Sequence, residues 1–299
     1  MRPLLGLLLL GALVSAATGR ASTRAFAETY ETRTGSQGDA QVETWIDDAD
    51  GSVTSPNWTL WRFWWGGTAS ITDALELSVY VTAAQQRGGA ADATGQSSTG
   101  LELEKAVLMG RYRLVGDGVM GFSLMLQLEL GIPMLPSLPD QVALDYLDHS
   151  TDLAEWLVLS YDAPHLVVAA NLMADERWLL DTTGFETAVK YAAGIAWAPF
   201  KAGLHGPPLT VGVEVFGDIP FDHTGAYSIW WPGDFAFAVG PALSFASGRF
   251  WATASYGYAP GGAFVAPAVG PAAPVDGFPG PATWSSSEGV GRLIAAFEF

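Results

Sequence analysis

The stretch VMGFSLMLQLELG, Val119 to Gly131, alternates residue by residue. Met120, Phe122, Leu124, Leu126, Leu128 and Leu130 fall on one side; Gly121, Ser123, Met125, Gln127 and Glu129 fall on the other. Successive side chains of an extended strand point to opposite faces, so this is a strand with one aliphatic face and one small or polar face. The same pattern recurs along the chain. Phe235, Phe237, Val239, Leu243 and Phe245 oppose Ala236, Ala238, Gly240, Ala242 and Ser244. Phe185, Val189, Tyr191, Ile195 and Trp197 oppose Glu186, Lys190 and Gly194.

Outward from these, about twelve alternating segments can be marked: 39–47, 57–68, 74–84, 100–114, 118–131, 152–162, 164–172, 184–199, 208–218, 233–246, 249–259 and 288–299. Clusters of Gly, Pro, Asp and Ser separate them. The connections alternate in length. Ala69 to Asp73, Gly116-Asp117, Ala163 and Ser247-Gly248 are short, and Phe200 to Pro207 is moderate. Gln85 to Thr99, Ile132 to Thr151 and Pro260 to Ser287 are long. Short periplasmic turns alternating with long outer loops are the pattern of a single-chain outer-membrane barrel. A soluble sandwich has no reason to show it. Both ends of the barrel segment then fall on the periplasmic side.

Composition points the same way. Of 299 residues, 49% are hydrophobic and only 15% are charged, with no cysteine. Soluble domains carry roughly 25% charged residues. The net charge of −17 excludes nucleic acid as a partner, because phosphate binding needs a basic surface. Disulfides, thiolate metal sites and a cysteine-linked lipid are excluded as well. Arg2 followed by the apolar run Leu4 to Val14 and the small residues Ser15-Ala16-Ala17 reads as a secretory signal peptide. The run is too short for a spanning helix, and no other stretch is long and apolar enough. A secreted, hydrophobic chain without spanning helices leaves the closed barrel as the way to sit in a membrane.

The expected organisation is a signal peptide over 1–21, with cleavage between 16 and 27, a mature N-terminal segment over 22–38, and the barrel over 39–299. The fold class is all-β, a single antiparallel transmembrane barrel of about twelve strands in the bacterial outer membrane. Trp58, Trp61, Trp64 and Trp65, with Trp230 and Trp231, crowd predicted strand ends as interfacial girdles do, although an aromatic core would read alike.

Leu293, Ala295, Phe297 and Phe299 alternate up to a terminal Phe. This resembles the C-terminal signature of outer-membrane barrels, which implies that the assembly machinery reads Phe297 and Phe299. Tyr30-Glu31 through Gly38 to Glu43-Thr44-Trp45 resembles the mature start of uncharacterised outer-membrane proteins. More loosely, the chain is similar to small transporter-like barrels linked with uptake of hydrophobic compounds.

No catalytic site is expected. Outer-membrane phospholipase A is a barrel of similar size whose family uses Ser, His and Asn on its lipid-facing side. Here His149 and Ser150 are adjacent and would face opposite ways, while His165, His205 and His223 lie in turns or loops. Asp47-Asp48-Ala49-Asp50-Gly51 lacks the later bidentate Glu of a calcium loop and reads as an acidic solvated turn. Gly-rich stretches such as Pro260-Gly261-Gly262 do not join a strand to a helix. No metal and no cofactor are expected.

Function is therefore expected on the inward face. With the aliphatic face towards lipid, the lumen receives Glu43, Arg62, Glu76, Ser78, Tyr80, Gln127, Glu129, Glu186, Lys190, Glu214 and Arg292. These charges either pair to fill a closed lumen or line a narrow channel. Inward Ala, Gly and Ser on segments 184–199 and 233–246 leave room for water, a folded-in loop or the mature N-terminal segment. The expectation is a narrow channel or binding barrel for a small solute, weakly cation-selective because inward acids outnumber bases. Its alternatives are a closed structural or adhesive barrel acting through its outer loops and a lipid-modifying enzyme. Its expected partners are outer-membrane lipid and lipopolysaccharide, the barrel assembly machinery and the solute.

Overall fold

The computed structural model describes residues 24–50, 59–87, 101–118, 120–134, 150–179, 185–200, 208–222, 231–232, 236–258 and 289–299. Period-two alternation becomes strands β1 (Ala40–Asp50), β2 (Thr59–Thr72), β3 (Leu75–Arg87), β4 (Glu102–Val115), β5 (Gly121–Pro133), β6 (Ser150–Ala163), β7 (Leu166–Leu179), β8 (Phe185–Trp197), β9 (Leu209–Asp222), β10 (Trp231–Pro232), β11 (Ala236–Ser247), β12 (Phe250–Tyr258) and β13 (Gly289–Glu298). β10 is a two-residue strand paired to β9. The other twelve form one antiparallel ring, each bonded to its neighbours along the chain, with β9 bridging β8 and β11.

The ring closes where β13 pairs with β1, placing Ile294 opposite Trp45. Phe299 N donates to Ala40 O at 2.9 Å, one bond past the end of that ladder. Closure matters because lipid offers no hydrogen bonds, so an open edge would leave its backbone groups unpaired.

The wall sorts its side chains by parity. On β5, Phe122, Leu126 and Leu128 are exposed, whereas Ser123, Met125 and Gln127 are buried. On β11, Val239, Leu243 and Phe245 face out against Ala238, Ala242 and Ser244. Leu77, Val79, Leu108, Leu172, Ile195 and Trp197 continue the outward apolar surface on other strands. A continuous apolar belt of this kind is incompatible with water and suits an acyl-chain solvent. Among the described residues, no helix is long and apolar enough to cross a membrane.

The connections β2–β3, β4–β5, β6–β7 and β11–β12 are short and lie at the same end as the start of β1 and the end of β13. Gly116 and Gly248 take positive φ in two of these turns, of 84° and 61°, where a side chain would strain the backbone. By the barrel rule this is the periplasmic end.

Three sequence expectations are corrected here. Asp47, Asp48 and Asp50 are not in a solvated turn but within β1, and Asp47 is an inward, buried position. A period-two face containing acids looks like a turn only when its partner strands are unknown. Of the tryptophans expected at interfacial girdles, Trp65 is exposed on the outer surface, with Phe63 stacked on it at 5.9 Å, but Trp64 points into the lumen. Trp58 and Trp230 lie outside the described residues, as does the Trp231 side chain. Segments 164–172 and 208–218 were also read short: β7 runs to Leu179 and β9 to Asp222.

Candidate functional site: a lumen filled by the N-terminal segment

The lumen is occupied by the chain itself. Residues 24–34 form no part of the wall; they run inside the barrel, and Arg24, Ala25, Phe26, Ala27, Thr29, Tyr30, Glu31 and Thr32 are all buried. The segment enters at the periplasmic end, where Gly38 N donates to Ser70 O at 2.8 Å and Gln37 N donates to the Asp73 carboxylate at 2.8 Å. Further in, Gly35 N donates to Glu76 at 2.7 Å. Arg111 ties Glu76, at 2.9 Å, to the Glu31 carbonyl, at 2.5 Å. Arg33 pairs with Asp162 and, at 3.4 Å, with Glu31, while the Thr32 and Ser160 hydroxyls touch.

Near mid-barrel the wall supplies substitutes for backbone pairing. Asn171 on β7 accepts from Tyr30 N at 2.6 Å through its Oδ1 and donates to Tyr30 O at 2.9 Å through its Nδ2, as a paired strand would. Glu214 on β9 accepts three successive backbone N–H groups, from Ala27 and Glu28 at 2.9 Å and from Thr29 at 2.7 Å. Bonds to a charged acceptor contribute about 1.5–3 kcal/mol each, so this carboxylate is a principal anchor of the tip. The chain then turns back. Ala25 N donates to Glu31, Thr253 donates to the Arg24 carbonyl at 2.6 Å, and the Arg24 guanidinium sits 4.9 Å from both the Tyr30 and Trp45 rings and 3.7 Å from Glu43.

Small wall residues make this fit possible. Phe26 packs with Val167, Ala169, Ala196 and Ala242, and a Cβ on Gly194 would come within 2.6 Å of its ring. Gly194 and Ala196 on β8 and Ala242 on β11 are therefore the imprint of the segment they accommodate.

In the outer half of the barrel a cavity of about 200 Å³ remains, with Glu28 and Tyr30 of the segment among its lining residues. Its walls carry charges in opposed sets. Arg62 grips Glu104 through two bonds of 2.7 and 2.9 Å. Lys105 pairs with Asp152. Asp175 receives Arg177 at 3.0 Å and Lys190 at 2.8 Å. Arg292 lies between Asp47 and Glu28, the latter at 3.0 Å. Trp45, Trp64, Trp156 and Phe216 supply aromatic wall.

The residues expected in the lumen fall as follows. Arg62, Glu129, Lys190 and Arg292 line the outer cavity. Glu43, Glu76 and Glu214 hold the N-terminal segment, directly or through its arginine. Tyr80 is buried against Trp45 and Trp64, and Gln127 is buried between the strands' inward faces. Ser78 is buried too, bonded to Thr68 at 2.7 Å. The Glu186 side chain lies outside the described residues. Phe297 and Phe299 stand apart from the lumen, at the closing seam, with ring centroids 5.3 Å apart.

Sequence reasoning missed Asp47, Glu104, Lys105, Arg111, Asp152, Asp162, Asn171, Asp175 and Arg177. Parity could have found Asp162, which shares a face with Ser160 on β6, once that face was fixed as inward. It could not have found their partners across the lumen. Among the described residues no three metal-ligating side chains converge, and His165 is the one described histidine, its Nδ1 bonded to Ala198 O at 2.8 Å beside a turn. His149, His205 and His223 lie outside the described residues.

An apolar exterior, a polar interior and a closed antiparallel ring define a transmembrane β-barrel of the bacterial outer-membrane class. Comparison with solved structures agrees on the fold. An outer-membrane channel from Pseudomonas putida F1 superposes with a TM-score of 0.58 at 11% identity, over 90% of this chain and 98% of that one. The KdgM porin gives 0.47 at 10% identity, over 87% and 99%, and the NanC porin 0.47 at 9% identity, over 86% and 98%. No family model and no curated protein matches the sequence.

Proposed function

We propose that this barrel is an outer-membrane channel for a small solute, closed on its periplasmic side by its own residues 24–34, with the outer cavity as the solute's entry site. The observation that carries this reading is the division of the lumen. A buried peptide bonded to the wall at Glu76, Ser160, Asn171 and Glu214 fills the inner half, and a charged, aromatic-lined cavity lies beyond it. A barrel needing only to be filled could use wall side chains, as small barrels do. This one instead keeps inward positions small and seats a separable segment.

Conductance in planar bilayers tests the proposal. The intact protein conducts weakly, and a variant lacking residues 24–34 behind an intact signal peptide conducts strongly. Correctly folded barrels that fail to conduct in both forms would establish the rival reading, a closed barrel acting through its outer loops. Ion preference follows Glu129, because Glu214 is engaged by the segment. Glu129→Gln lowers the weak cation preference at low salt, where screening is least.

A further inference from the structure

The charges around the outer cavity balance except at one place. The five cationic side chains, Arg62, Lys105, Arg177, Lys190 and Arg292, each face an acid. Five acids are used in those contacts: Glu104, Asp152, Asp175, Asp47 and Glu28. The sixth, Glu129 on β5, lines the cavity with no ion-pair or hydrogen-bond partner among the described residues. The next inward position on β5 is Gln127, 1% exposed, with neither its Oε1 nor its Nε2 bonded. A carboxylate and a buried amide oxygen thus stand on one strand face without donors, where nearly all buried polar groups are satisfied.

We propose that the outer cavity binds a small organic cation, a primary amine or quaternary ammonium of a few carbon atoms, with Glu129 as its counter-ion. This rests on reading the cavity as the entry site. Trp64 and Trp156 line the same space, and a cation beside an aromatic face is attracted by the ring quadrupole. The lumen already uses that chemistry, holding the Arg24 guanidinium 4.9 Å from two rings. An anion would have to displace an acid from an existing pair to find a free cation. A bare metal ion would need several converging oxygens, and no such group of three exists among the described residues.

Isothermal titration of the detergent-folded, full-length protein with tetramethylammonium chloride and with methylammonium chloride tests this, with sodium chloride and sodium acetate as controls. Saturable binding of at least one organic cation is expected, with none for acetate. Glu129→Gln should weaken it by about tenfold, the effect of losing one charge contact of ordinary strength. Glu129→Asp, which keeps the charge, should retain part of the affinity, and heat-modifiable migration on gels confirms that each variant is folded. No saturable cation binding, or equal affinity in folded Glu129→Gln, overturns the assignment. If the variant lacking 24–34 conducts and the intact protein binds no cation, this inference fails alone. If cations bind through Glu129 and neither form conducts, the channel reading fails and the site stands.

Discussion

Glu214 on β9 holds the backbone of Thr29 at 2.7 Å, a bond between residues 185 positions apart in sequence, made inside a membrane barrel. The same carboxylate takes the N–H groups of Ala27 and Glu28. One side chain therefore holds the tip of the segment that lies in the lumen.

Replacing Glu214 by Ala leaves three buried N–H groups without an acceptor. Leaving buried donors unmet costs about 1–3 kcal/mol each, so the segment loosens while the wall, whose ladder does not involve this side chain, stays closed. Limited proteolysis should cut within residues 24–34 in Glu214→Ala and spare them in the parent, with heat-modifiable migration unchanged. Equal protection in both would show that Glu214 does not anchor the segment.

Gly194 and Phe26 should behave as a coupled pair. A methyl group at Gly194 would stand 2.6 Å from the Phe26 ring, and an aromatic ring cannot shift as a flexible chain end would. Gly194→Ala should loosen the segment by about 1–3 kcal/mol, the usual cost of overpacking. Adding Phe26→Ala removes the clash, so the double variant should be less perturbed than the two single effects sum to. Proteolysis rates of the four proteins give the coupling, and simple additivity would refute the contact.

Deleting Phe299 removes the bond from its N–H to Ala40 O at the closing seam, and with it the terminal aromatic. Each backbone group left unpaired in lipid costs several kcal/mol. Heat-modifiable barrel in the outer-membrane fraction should fall sharply. Normal levels would mean that the terminal Phe297 and Phe299 pattern plays no part in assembly.

Much of the wall was legible because lipid on one side and a polar lumen on the other impose the same period on every strand. Val119 to Gly131 gave facing and strand type together, and most strands lie within a few residues of their expected segments, although β7 extends well past 172 and the short β10 has no counterpart among them. The content of the lumen was legible only as its negative. Small residues such as Ala192, Gly194, Ala238 and Ala242 announced space, but the peptide that fills it is irregular and carries no periodicity. Asp47 was misread for a related reason: an inward acid makes sense only beside Trp64 on the neighbouring strand and Arg292 from the far end of the chain.

The central claim is that residues 24–34 lie within the folded barrel, and the contact between Thr32 and Ser160 tests it most directly. The chain has no cysteine, so a Thr32→Cys, Ser160→Cys variant carries only the two introduced thiols. After mild oxidation of the folded protein, peptide mapping should find the two positions joined in a disulfide, and the unoxidised thiol at position 32 should resist water-soluble reagents. Two free thiols after oxidation, with position 32 readily labelled in heat-modifiable barrel, would place the segment outside the lumen and contradict the account.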